Sequence, residues 1–138
     1  MRPALAVPHA AGLVEAVRAV LDGDVKPSCV HLNAVPKDPE YPYVVVEFGS
    51  AVSEAESVGD KNELGIFHPR LLVASLSETR VLSIQDRLEA LYDTATPAVG
   101  GRLIEVEKLV AGNIARDPDL ARPVWWCRDQ LEVRSYAA

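Results

Sequence analysis

The sequence predicts an α+β fold: a mixed or antiparallel sheet of about four to five strands with two helices packed on one face. Three observations lead there. Two stretches repeat their apolar residues at helical spacing. Several others are runs of β-branched and aromatic residues, or alternate apolar with polar. The strand-like stretches are joined mostly by hairpin-like connections, with few helical crossovers, which favours antiparallel pairing. In chain order the elements read α-β-β-β-α-β-β.

The first helix is expected in AAGLVEAVRAVLDG, where Leu13, Val14, Val17, Val20 and Leu21 make a stripe down one side. Pro8 suits its start and Gly23 its end. Residues 28–35 (SCVHLNAV) alternate loosely and predict a short strand. PKDPEYP, with its prolines, is a turn. YVVVEF, residues 43–48, predicts a strand, and IFHPRLLVASL, residues 66–76, predicts the next. Pro69 inside that run implies an edge position or a bulge. Ser77 then caps a second helix carrying Val81, Ile84, Leu88, Leu91 and Ala95 on one side, closed by Pro97 and Gly100-Gly101. RLIEVEKLVAG predicts a strand with Ile104, Val106 and Val110 opposite Glu105 and Glu107. VWWCRDQLEVRSY predicts the last one. Trp125, Cys127, Leu131 and Val133 share one face, with Arg128, Gln130, Glu132 and Arg134 on the other. NIARDPDLARP between these two is a polar connection.

At 138 residues the chain suits one domain, residues 1–138, around one core. No window is apolar enough to span a membrane, and the N-terminal stretch lacks a signal peptide's clean apolar segment. The expectation is therefore a protein made or assembled in a cytoplasm. Net charge is −6, and no basic stripe appears, so the electrostatic term that grips nucleic acid is missing.

Candidates for chemistry are thin. Cys29-x-His31, with His68 on a later strand, resembles part of a zinc site, but such sites supply three or four ligands at recognisable spacing. Packed cysteine and partly exposed histidines explain the pattern more simply. His9 at a helix start, and Glu105 with Glu107 on an exposed face, need no catalytic reading. Gly100-Gly101-Arg102 precedes a strand and so is no phosphate loop, and Ser50, Ser53 and Ser57 sit in no nucleophile elbow. No catalytic residue, metal or cofactor is expected.

Two features point instead to attachment. Residues 49–65 form a long, polar, acidic connection between adjacent strands, longer than such strands require. Val52, Glu54, Glu56, Val58, Asp60 and Lys61 are its candidate contact residues, in an arm expected to be flexible and to order on a partner. Trp125 and Trp126 point to opposite faces of their strand, leaving one outside the core. Trp126, Arg128 and Arg134 are thus candidate interface residues on the open face.

The order of elements, from the helix at residues 12–21 through YPYVVVEFG, the polar insertion, RLLVASL, VLSIQDRLEALYDT and GRLIEVE to WWCRDQLEVRSY, resembles the tail-terminator (tail-completion or tail-to-head joining) proteins of long-tailed bacteriophages. The resemblance covers nearly the whole chain and rests on size and order rather than on a diagnostic motif. It implies a non-enzymatic virion protein of the tail and neck, assembled in the host cytoplasm. It also implies a ring, usually of six copies, that caps the tail tube and stops its polymerisation. The implied partners are further copies of itself, the major tail tube protein and the head–tail connector or head-closure protein. DNA would pass through the lumen without being bound. A head-closure or adaptor protein, or a small ligand-binding domain or enzyme using Cys29, His31 and His68, are the rival readings.

Overall fold

The structure is a computed structural model and describes residues 6–49, 52–53, 65–93, 96–99, 102–117 and 123–137. It opens with helix α1, Ala6–Val20, whose Leu13, Val17 and Leu21 side are fully buried as the stripe requires. Gly23 ends it at φ 89°, the left-handed conformation that costs glycine least. A 3-10 turn, Pro27–Cys29, occupies the first part of the expected strand, so β1 is only Val30–Leu32. β2 is Tyr43–Glu47, entered through a cis Tyr41–Pro42 bond. β1 runs parallel to β2, and Asn33 extends the pair with its side chain. Its Oδ1 accepts from Phe48 N at 2.7 Å and its Nδ2 donates to Phe48 O at 3.3 Å, while its backbone N–H donates to Val46 O at 2.9 Å.

The run expected as one strand after the long connection is two, β4 (Gly65–Phe67) and β5 (Arg70–Ser75), broken at His68–Pro69. A short β3, Val52–Ser53, pairs with β4. Pro69 has no N–H to give to a ladder, and here its carbonyl accepts from Leu131 N at 2.9 Å. The break lies between two neighbouring strands, so Pro69 marks an interruption and not an edge.

Helix α2, Glu78–Arg87, starts at Ser77, whose Oγ accepts from Arg80 N at 3.4 Å. The expected single helix ends there. Amides 89, 91 and 92 bond three residues back, tightening the chain into a turn before the short α3, Ala90–Asp93. Leu88 and Leu91 stay buried through this change. Instead of a closing turn at Pro97, the chain forms β6, Thr96–Val99, which pairs with β7, Arg102–Val110. The polar connection that follows includes β8, Ala115–Asp117, and the chain closes in the long β9, Val124–Ala137.

These strands form one mixed sheet, nine strands among the described residues, against the four to five expected. One extra strand comes from the interruption at His68–Pro69, and β3, β6 and β8 are short strands in stretches expected as connections or a helix end. β9 is the axis: β5 and β4 lie end to end along one side of it, β8 and β7 along the other. β2 and then β1 continue beyond β5. Register puts Val44, Val73 and Cys127 in one row and Val46, Leu71 and Asp129 in the next. With Leu131, Val133 and Val106 they meet α1, α2 and α3 in a single core.

Candidate assembly surface

The alternate positions of the same strands point away from the helices. Rows run Tyr43–Ala74–Trp126–Ala115, then Val45–Leu72–Arg128, then Glu47–Arg70–Gln130. This open face is aromatic at one end. Tyr41 and Tyr43 rings lie 5.4 Å apart, and His31 meets Tyr43 edge-on at 6.2 Å. Burial raises the Tyr43 phenol pKa, with smaller contributions from Tyr41 and the charge of Asp117. The middle is charged. Glu47 bridges two strands, with Arg128 Nε at 2.7 Å from Oε1 and Arg70 Nη2 at 3.7 Å from Oε2. Arg128 also covers the Trp126 ring, 5.6 Å from its centroid.

At the other end Glu132 holds Arg134 Nε at 2.8 Å and faces His68 Nε2 at 3.5 Å. The Arg134 hydrogen bond is the main reason its carboxyl sits below the ordinary pKa, against a smaller opposing effect of burial. Glu105 and Glu107, exposed as expected, stand opposite Arg134 and Glu132 in register. Partly exposed pairs of this kind are each worth at most about 1 kcal/mol, so they orient side chains more than they hold the fold. The β7–β9 register slips between Lys108 and Val110, and there Leu109 and Val110, each 49% exposed, stand out to solvent.

Of the residues expected to mediate attachment, Trp126, Arg128 and Arg134 lie on this face, half-buried, and none is idle. Trp125 takes the core side, with Arg116 over its ring, so the tryptophan pair divides between faces as the alternation predicts. Val52 belongs to β3 through its backbone. Glu54, Glu56, Val58, Asp60 and Lys61, and most of the arm expected at 49–65, lie outside the described residues.

The zinc-like pattern is not assembled. Cys29 sits in the 3-10 turn, buried, with its sulfur 4.0 Å from Glu40 Oε2, while His31 faces Tyr43 and His68 faces Glu132. No group of three or more His, Cys, Asp or Glu among the described residues is placed to hold a metal. A cleft of about 410 Å³ lies beside Cys29, with the Lys26–Glu40 ion pair, 3.1 Å long, among its lining residues. His9, expected as an ordinary polar residue at a helix start, is buried and stacks on Phe67 at 4.9 Å. No helix among the described residues is long and apolar enough to cross a membrane.

Sheet edges are the usual sites for strand addition, yet β1 has little to offer there. Val30 N–H donates to Pro27 O, Val30 O accepts from Arg18 Nη2 at 3.2 Å, and Leu32 O accepts from Ala34 N at 2.8 Å.

One cluster has no counterpart in the sequence reading. Asp129 is fully buried, and its Oδ1 accepts from Gly112 N and from Gln85 Nε2, both at 2.8 Å. The same Gln85 nitrogen donates to Gly112 O at 3.0 Å. The available signal was parity: Asp129 occupies the apolar series 125, 127, 131, 133 of β9, where a lone carboxylate demands a partner.

No family model and no curated protein matches the chain. Among solved structures, a chain of the "Virion of native gene transfer agent (GTA) particle" superposes with a TM-score of 0.62 at 13% identity, over 96% of both chains. A second solved chain aligns more loosely, at a TM-score of 0.49 and 14% identity over 93% of this chain and 90% of that one. At this identity the likeness is one of fold: the chain is built, end to end, like a component of a gene transfer agent particle.

Proposed function

We propose that the chain is a structural subunit of a phage-like virion and acts at the head-proximal end of the tail. Copies form a ring, of six by the family pattern, that caps the tail tube, halts its growth and offers a surface to the head connector. The observation that carries this reading is the end-to-end fold match to a virion chain, covering 96% of each partner. The order of elements, which resembles tail terminators, supports the finer assignment. So does an open sheet face that combines Trp, Tyr and Arg, the residue types that dominate protein interfaces. DNA crosses such a ring without being held, in keeping with a net charge of −6. The role requires attachment and no chemistry.

Deleting the coding gene from a particle-producing genome and imaging the products tests this. The expected result is headless tails of irregular, excessive length. Tails of uniform length without heads assign the chain to head closure or an adaptor position instead. Complete particles in normal yield overturn the structural role altogether.

A further inference from the structure

We propose that Arg116 of one copy pairs with Glu107 of the next, and that this pair sets the head-to-tail contact between subunits. The pairing rests on the ring reading above and names the groups that join its copies. Arg18, Arg70, Arg80, Arg87, Arg128 and Arg134 each reach a carboxylate of their own chain, at 3.8 Å or less. Arg116 of β8 reaches none among the described residues. It is exposed, and its guanidinium lies over the Trp125 ring, 5.9 Å from the centroid. An arginine stacked in this way is held by one flat side, while its N–H edge stays open to fork a carboxylate.

Glu107 of β7 is the counterpart. It is exposed, holds no cation among the described residues, and stands opposite another acid, Glu132, in the β7–β9 register. Like charges directly opposite repel, and Glu132 already has Arg134 and His68. A cation from outside relieves that repulsion. Leu109 and Val110, two and three residues further on and each 49% exposed, give the contact apolar ground, as Trp125 does beneath Arg116. The two charges cannot meet within one copy. Arg116 lies opposite Trp125 on the helix side of the sheet and Glu107 opposite Glu132 on the open face, so the two rows are roughly 23 Å apart along β9. Groups on opposite faces of a subunit join copies through two different patches, the heterologous contact that closure into a ring requires.

Sedimentation of the full chain at low salt tests the pair by charge reversal. Arg116→Glu and Glu107→Arg each weaken self-association roughly tenfold or more, since each sets like charges against one another across the contact. The doubly reversed chain carries the pair in the opposite sense and recovers association to within about threefold of the original. Both side chains are exposed, so an unchanged unfolding midpoint in each variant is the control for folding. The proposal is overturned if either single reversal associates as well as the unaltered chain, or if the double reversal stays as weak as the singles. An unaltered chain still monomeric at about 1 mM, where even weak contacts form, overturns it too. The virion role is judged separately, by the gene deletion, and stands or falls on that result.

Discussion

Gly112→Ala is the substitution whose cost can be worked most directly from the geometry. The new methyl would meet Arg128 C at 2.7 Å and Arg128 N at 2.8 Å, and the carbonyl oxygen closer still. Carbon atoms pack at about 3.5–4.0 Å, so the segment must retreat by roughly 1 Å. The obstacle is backbone of β9, paired at Arg128 with Leu72 of β5, and cannot swing aside as a side chain would. A retreat of that size stretches the Gly112–Asp129 bond from 2.8 Å past useful hydrogen-bond length. Overpacking costs about 1–3 kcal/mol, and a buried bond to a charged group about 1.5–3 kcal/mol. Because one movement trades the first against the second, the two do not add, and the expected loss is about 1.5–3 kcal/mol. Urea unfolding followed by the fluorescence of Trp125 and Trp126 reads it as a fall in midpoint of about 1 M at unchanged slope. Gly49→Ala is the control, since a Cβ there meets nothing within 4 Å. A loss below about 1 kcal/mol for Gly112→Ala, or equal losses for both variants, would refute the close approach.

Ser77→Ala removes the cap of α2, and because the Oγ–Arg80 N distance is a long 3.4 Å the loss falls at the low end of capping effects, about 0.5–1 kcal/mol in the same assay. A Glu47→Ala, Arg128→Ala double-mutant cycle gives a coupling below about 1 kcal/mol that shrinks in high salt, because both side chains are partly exposed. Burial pushes the Cys127 thiol up to about 12, aided by the charge of Asp129, so native protein resists alkylation at Cys127 at pH 8 while unfolded protein reacts. The unfolded thiol ionises first as pH rises, so the stability this residue contributes is lost between its ordinary value of 9.0 and about 12; Cys127→Ser flattens that decline.

The elements that were legible in the sequence are those whose side chains state a period. The stripe of α1 and the alternation of β9 each predict most of the buried set, and Trp125 and Trp126 part to opposite faces because successive strand residues must. What the sequence hid are the interruptions. His68–Pro69 splits one run because proline cannot donate, and the turn after Arg87 divides one helix without disturbing its apolar stripe. Thr96–Val99 looks like a helix end and is a strand, paired through a register that only β7 supplies. Gly112 and Asp129 lie 17 residues apart, and nothing local to either announces that one satisfies the other. Pairings of that kind depend on the folded register, which periodicity does not encode.

The open face also constrains how copies can meet if they form the proposed ring. A closed ring needs a heterologous contact, two different patches on each subunit. Strand addition at β1 is a poor candidate for either patch, since Val30 N–H, Val30 O and Leu32 O are already bonded within the chain. New ion pairs to the open-face arginines are equally disfavoured. A partner's carboxylate that took Arg128 Nε or Arg134 Nε would displace Glu47 at 2.7 Å or Glu132 at 2.8 Å, leaving Glu47 only Arg70 at 3.7 Å and Glu132 only His68 at 3.5 Å. Apolar contact carries no such penalty. Trp126 under its arginine, with Leu109 and Val110 standing out at the β7 irregularity, can be covered at the cost of ordering few groups. On this reasoning Trp126→Ala and a Leu109→Ser, Val110→Ser pair weaken self-association far more than Arg128→Ala. Sedimentation of the three variants checks the order, and a larger defect in Arg128→Ala would show that the charges, and not the apolar groups, carry the contact.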